Sequence, residues 1–159
     1  MLEIRKKDRL FIVFGSIIWG VVIVVTTLDF IFIQLPTYHF DIIVFIGVVL
    51  VLAGTTIRQI AKRTLGRSYT YTLKTLENQK LIKTGIYRFI RHPGYIGTLI
   101  ADLGIPLLFH SLYGFLVVLL LIPLFVYRMG VEEKMMIMKF GDEYRDYMKH
   151  TCRLIPHVY

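Results

Sequence analysis

Hydrophobic and polar positions fall along this chain in long blocks rather than short periods, and the blocks set its elements. Apolar runs extend from about Leu10 to Leu28, with an apolar continuation toward Leu35, and from about Asp41 to Ile60. Two more extend from Pro93 to about Phe109 and from about Leu112 to Tyr127. An α-helix needs roughly 20 apolar residues to cross about 30 Å of hydrocarbon, and these runs approach that length. In lipid every backbone polar group must be satisfied internally, so the blocks predict helices. The expected fold is an all-α polytopic membrane protein with about four transmembrane helices. The third span is marginal in length, and Pro106 should kink it or loosen its outer end; Pro123 lies in the inner half of the fourth. A cytoplasmic C-terminal helix is expected to begin within Gly130-Val131-Glu132-Glu133, break near Gly141 and continue through Tyr144 and Tyr147 to about Thr151. Arg153-Leu154-Ile155-Pro156 then reads as an extended tail. Gly15, Ser16 and Gly20 in the first span, and Gly47 and Gly54 in the second, predict stripes for close helix packing. Asp29 falls near the outer end of the first span, within reach of water or headgroups. The basic connection Arg58–Lys83, rich in Thr and Tyr, is long for a compact domain and predicts a functional loop or a short extended piece at the membrane surface.

Composition agrees with the pattern. The 159 residues are 55% hydrophobic with a mean hydropathy of +0.61, too apolar for an ordinary soluble domain, and the length suits a single membrane domain over 1–159. Charge adds an orientation. The 19 Lys and Arg fall into three blocks, Arg5–Arg9, Arg58–Arg91 and Arg128–Arg153, whereas the connections around Pro36–His39 and His110–Tyr113 carry none. The positive-inside rule makes the three blocks and both termini cytoplasmic. The net charge of +8 and pI of 9.7 therefore report topology and contact with anionic membrane lipids. No single basic face is formed, which argues against a nucleic-acid partner. The expected location is an integral, multi-pass protein of the cell (inner) membrane in a prokaryote. The first span reads as retained, since no small-residue cleavage site follows it. Cys152, the single cysteine, falls on the cytoplasmic side and reads as a reduced thiol.

Candidate chemistry concentrates in Gly85-Ile86-Tyr87-Arg88-Phe89-Ile90-Arg91-His92-Pro93-Gly94-Tyr95-Ile96-Gly97. Proline is favoured in the first turn of a helix, so a helix should start near Pro93 with Arg91 and His92 at its positive end, a place suited to an anion. A second cluster is Arg128 with Glu132 and Glu133; positions 128 and 132 share a face of a continuing helix. Asp102, about ten residues inside the third span and seven from Tyr95, should face the bundle interior or a watery cavity, with a place near the outer surface as the alternative in so short a span. Met135, Met136, Met138, Phe140, Tyr144, Tyr147 and Met148 read as the apolar side of an interfacial helix, with a substrate-contacting role as the alternative. No Gly-x-Gly-x-x-Gly or P-loop pattern is present, which argues against a Rossmann-type site. Five scattered histidines and one cysteine do not have zinc-ligand spacing.

Two motifs give the chain a family likeness. The first is Leu81-Ile82-x-x-Gly85-x-Tyr87-x-x-x-Arg91-His92-Pro93-x-Tyr95-x-Gly97. The second is Arg128-x-x-x-Glu132-Glu133, followed by Phe140-Gly141-x-x-Tyr144-x-x-Tyr147 and Arg153-Leu154-Ile155-Pro156. Together, from about Gln79 to Pro156, they resemble the isoprenylcysteine carboxyl methyltransferases, integral-membrane enzymes that use S-adenosylmethionine. The resemblance implies cytoplasmic cofactor-binding parts at about 79–97 and 128–156. It implies cofactor contacts from Gln79, Lys80, Leu81, Ile82, Tyr87, His92, Pro93, Gly94, Tyr95, Glu132 and Glu133, and catalytic roles for Arg91 and for Arg128, which would face the substrate. The implied acceptor is a lipophilic small molecule or lipid carrying a carboxylate or another oxygen or nitrogen nucleophile. Relative to the eukaryotic prenylcysteine enzymes the chain is short, and Gln79-Lys80 replaces a more polar pair. Three rivals stand beside this reading: a phospholipid N-methyltransferase, an NADPH-dependent sterol-type reductase and a non-enzymatic membrane protein. The reductases typically carry Asn before the tyrosine and an acid after the glycine, where this chain has Gly94 and Thr98.

Overall fold

The computed structural model describes residues 2–70 and 80–154, and these are almost entirely helical. Helix α1 runs Leu2–Asp29 and continues through a wide turn, Phe30–Gln34, into a tight one at Leu35–Thr37 that contains Pro36. Helix α2, Ile42–Leu65, opens on Asp41, whose Oδ1 accepts from the amides of Ile43 (2.9 Å) and Val44 (3.1 Å), two donors the helix itself leaves unpaired. Helix α3 is Pro93–Leu108, α4 Leu112–Leu119, α5 Leu121–Phe140 and α6 Asp142–Lys149.

Among the described residues, three helical stretches are long and apolar enough to cross a membrane: Asp8–Thr37, Ile42–Leu65 and Leu112–Phe140. The third expected span, α3, has 16 residues, shorter than the length an upright span needs. It begins at Pro93 as expected and ends two residues after Pro106, where the amides of Phe109 and Ser111 turn back to the Pro106 carbonyl. The fourth expected span is divided into α4 and α5 at Leu120. Pro123 has no N–H for the Leu119 carbonyl, and just before it the helix tightens, with the Leu120 amide donating to the Val117 carbonyl (3.0 Å).

The expected restart of a helix within Gly130–Glu133 does not occur. Helix α5 passes through Arg128, Glu132 and Glu133 without interruption and stops only at Gly141, whose φ of +56° lies in the left-handed region open to glycine. The long connection expected from Arg58 is also shorter, because α2 carries on to Leu65 and a single turn, Gly66–Ser68, follows. Most of its Thr- and Tyr-rich stretch, 71–79, lies outside the described residues.

Helices α2 and α3 pack backbone to backbone. A Cβ placed on Gly47 would sit 2.9 Å from the Leu108 amide nitrogen, one on Gly54 2.5 Å from the Gly97 carbonyl, and one on Gly104 2.7 Å from the Gly47 carbonyl. Gly47 and Gly54 thus form the expected packing stripe, matched by Gly97 and Gly104. The stripe expected in α1 is not used this way: a Cβ on Gly20 meets nothing within 4 Å, and one on Gly15 only Leu124, at 3.8 Å. There the close contact comes from the partner helix, where Gly114 of α4 lets Thr26 of α1 approach. Asp29, expected near water, is 5% exposed and enclosed by the bundle. Outward-facing side chains such as Phe14, Phe32 and Phe45 are more than half exposed, the lipid-facing pattern of an integral multi-pass membrane protein.

The two connections without Lys or Arg meet at one end of the bundle. The Tyr38 hydroxyl donates to the Leu108 carbonyl (2.9 Å), and His110 Nε2 lies 3.1 Å from Asp41 Oδ1. At the opposite end Asp8 and Arg128 lie 3.2 Å apart, so the basic blocks gather there.

Replacing Gly54 by Ala should lower the midpoint of thermal unfolding in detergent, by an amount equivalent to roughly 1–3 kcal/mol of overpacking. Gly20→Ala, at an open position, should leave the midpoint unchanged or raise it. Equal behaviour of the two variants would contradict the packing described here.

Candidate functional site

The site is assembled where the start of α3, the second half of α5, and α6 with its following tail come together. Gly85, at φ +60°, opens a tight turn over Gly85–Arg88 that turns Tyr87 inward, where it is 8% exposed. The chain then runs beside the C-terminal tail in a short parallel pairing. Cys152 N donates to the Phe89 carbonyl (3.0 Å), Arg91 N to the Cys152 carbonyl (2.8 Å) and His92 N to the Arg153 carbonyl (3.2 Å).

The Glu133 carboxylate locks this arrangement. Its Oε1 accepts from Arg91 Nε at 2.9 Å and lies 3.3 Å from His92 Nε2, while its Oε2 is 2.8 Å from Arg153 Nη2. Arg91 Nη1 also donates to the carbonyls of Met148 (3.1 Å) and Thr151. All of these side chains are largely buried. Charges are tolerated in such a place only when paired and hydrogen-bonded, and here each is.

Glu132, the next residue, turns about 100° around the helix and serves the opposite side. Its Oε2 accepts from the Tyr95 hydroxyl at 2.8 Å and lies 4.0 Å from His92 Nδ1. Arg128, one turn earlier on the same face as Glu132, does not pair with it as their spacing suggests. Its Nη2 lies 3.2 Å from Asp8 Oδ1, and its guanidinium carbon stands 4.2 Å from the centre of the Phe11 ring. Tyr87, Tyr144 and Tyr147 close the floor, with the Tyr147 hydroxyl donating to the Tyr87 carbonyl at 2.6 Å. Burial pushes the Tyr147 phenol up to about 12 against the opposing charge of Arg91. It raises Tyr87 as well, aided by the Glu132 charge, and Tyr144, aided by Glu133 and Glu132. All three therefore remain neutral hydrogen-bond donors at physiological pH.

These residues surround a cavity of about 290 Å³. Of the side chains singled out in the sequence, Lys80, Leu81, Ile82, Tyr87, Arg91, His92, Gly94, Tyr95, Arg128 and Glu132 line it. Pro93 is packed into the helix start, and Glu133 lies behind the wall in its cluster of cations. Gln79 lies outside the described residues. Met135, Met136, Phe140, Tyr144 and Tyr147, read foremost as an apolar helix side, also face the cavity, whereas Met138 is 68% exposed. Asp102 is buried and accepts from the Trp19 indole at 3.2 Å, away from the cavity. Sequence reasoning missed Asp8, Phe11 and Arg58. An acid between Lys7 and Arg9 was the one signal for Asp8, and it was submerged in a block read only for its positive charge.

Fold and site together define a helical membrane protein with a charged, aromatic cavity at one end of its bundle. The description of the isoprenylcysteine carboxyl methyltransferase (ICMT) family matches residues 45–138. The chain is 36% identical over 128 residues to a probable protein-S-isoprenylcysteine O-methyltransferase of Oryza sativa subsp. japonica, covering 79% of this chain and 66% of that protein. It is 34% identical over 116 residues to the protein-S-isoprenylcysteine O-methyltransferase of Saccharomyces cerevisiae, covering 71% and 48%. The solved structure of the eukaryotic intramembrane Ras methyltransferase ICMT shares the fold, with a TM-score of 0.77 at 23% identity over 91% of this chain and 52% of that one. The chain therefore belongs to the isoprenylcysteine carboxyl methyltransferase family. It spans between about half and two thirds of the length of these relatives.

Replacing Glu133 by Ala leaves buried cations uncompensated and should cost about 3–5 kcal/mol. Hydrogen exchange should quicken first at the amides of Arg91, His92 and Cys152, before those of α2. Uniform quickening across the chain would contradict the clamp.

Proposed function

We propose that the chain is an S-adenosylmethionine-dependent methyltransferase that modifies a lipophilic acceptor at the cytoplasmic face of its membrane. The observation that carries this reading is the convergence of Glu132, His92, Tyr87 and Arg128 on one cavity at the basic end of the bundle. Family membership supports the reaction class, and the names of the relatives, protein-S-isoprenylcysteine O-methyltransferases, support a carboxylate on a lipidated cysteine as acceptor.

The residues present suit the donor. Its amino-acid end carries both a carboxylate and an ammonium. The cavity offers the α3 N-terminus with Arg91 and His92 for the first, and the Glu132 carboxylate for the second. Lys80, Leu81 and Ile82 form an irregular edge of the cavity. The volume of about 290 Å³ lies just below the range of about 300–1,000 Å³ for small-molecule sites.

S-adenosylmethionine supplies an electrophilic methyl group on a sulfonium. In-line displacement there needs alignment and a desolvated nucleophile above all. Arg128 is placed to orient an acceptor carboxylate through its planar fork without giving up a proton. Phe11, Phe125, Met135 and Met136 line the same cavity with apolar surface that suits an apolar tail. The three basic blocks gathered at this end support a cytoplasmic position for the cavity.

S-adenosylhomocysteine should raise the thermal midpoint of the purified protein, and NADPH should not. Stabilisation by NADPH alone would overturn the assignment in favour of a reductase. Glu132→Ala should weaken donor binding about 10- to 100-fold, the cost of losing a hydrogen-bonded charge. Arg128→Ala should leave donor affinity within about twofold and slow methylation of S-farnesyl-N-acetylcysteine at least tenfold. Equal loss of donor affinity in both variants would refute this division of roles.

A further inference from the structure

We propose that Asp8 is the positioning residue of Arg128, so that the N-terminal helix α1 forms part of the acceptor site. The inference rests on the reading of Arg128 as the acceptor-facing residue. Its own support is geometric. The Asp8 carboxylate is 6% exposed and the Arg128 side chain 9%, with Oδ1 and Nη2 at 3.2 Å. One helical turn after Asp8, the Phe11 ring lies beneath the same guanidinium at 4.2 Å, and Phe11 itself lines the cavity. Residues 8 and 11 are three apart and share one helix face, so α1 presents a carboxylate and an aromatic surface together. Tyr95 of α3 stands on a further side, its ring centre 5.9 Å from the guanidinium.

An arginine side chain has many rotamers, and a cation at the mouth of an apolar cavity would otherwise turn toward bulk water. Asp8 removes that freedom. It holds one corner of the fork at the end and Phe11 supports its plane, which fixes where the guanidinium stands on the cavity wall. The pair also brings Arg128 into the cavity with its charge compensated, so an arriving acceptor carboxylate does not have to desolvate a bare guanidinium. Residues 8 and 11 precede the segment 45–138 that the family description matches.

The test compares the full chain with Asp8→Asn, which keeps the shape and removes the charge, and with Asp8→Glu, which restores it at a different reach. Donor binding is followed with S-adenosylhomocysteine, turnover with S-farnesyl-N-acetylcysteine, and the Arg128 guanidinium by side-chain 15N NMR assigned with Arg128→Lys. In Asp8→Asn the restrained Arg128 resonances should become motionally averaged. Methylation efficiency should fall about tenfold or more while donor affinity stays near its wild-type value, and the thermal midpoint should fall because a buried cation loses its partner. Asp8→Glu should recover part of the loss. In the Asp8→Asn/Arg128→Lys double variant turnover should be no lower than in Arg128→Lys alone. Unchanged, restrained Arg128 resonances in Asp8→Asn would overturn the proposal, whatever the acceptor proves to be. So would a fall of donor affinity in step with turnover, the mark of a purely structural pair. Absence of S-adenosylhomocysteine binding in the wild type would instead count against the methyltransferase reading, while the NMR comparison would still decide the role of Asp8.

Discussion

One buried carboxylate, Glu133, holds together the parts of this molecule that are far apart in sequence. Its two oxygens meet Arg91, His92 and Arg153 at 2.8–3.3 Å, and Arg91 passes the connection on to the carbonyls of Met148 and Thr151. Because each cation would be costly there without its partner, the start of α3, the middle of α5 and the C-terminal tail are obliged to meet at one point. The backbone pairing of Phe89–His92 with Cys152 and Arg153 follows from that meeting. So does the enclosure of the cavity by α6.

Helix α5 distributes the chemistry by its periodicity. Arg128 and Glu132 lie four residues apart and face the cavity, while Glu133 is turned toward the clamp behind it. Adjacent glutamates thus do different work: one is half of a structural lock, the other a polar group exposed to the cavity. The interruption at Leu120 and the stop at Gly141 set the length over which this division holds. On the other side of the bundle, the glycine contacts between α2 and α3 hold α3 close to α2, which fixes where His92 and Tyr95 emerge.

Much of this was legible in the chain. Apolar blocks located the helices, Pro93 marked the start of α3, and the Gly47–Gly54 stripe foretold its closest neighbour. Arg91, His92, Tyr95, Arg128 and Glu132 stood out as a site because polar residues at the ends of apolar blocks are few and stand close together. What was hidden depended on tertiary partners. Local spacing offered Arg128 to Glu132, but a buried guanidinium takes the carboxylate that completes its burial, and that was Asp8, 120 residues away. The glycines and serine of α1 promised close packing by composition alone, yet the glycine that matters there lies on α4. The helix through Gly130 was broken in expectation and whole in fact, since a single glycine costs only about 1 kcal/mol and the packing of Met129 and Glu133 outweighs it.

The central claim is that the cavity bounded by the Glu133 clamp is where the methyl donor binds. An experimental structure of the protein in a lipid nanodisc with S-adenosylhomocysteine tests it most directly. The account predicts ligand density between Tyr87, His92 and Glu132, with the homocysteine sulfur pointing toward Arg128 and the clamp intact. Density elsewhere on the bundle, or a cavity filled by the Arg128 or Tyr144 side chain in the presence of saturating ligand, would contradict it.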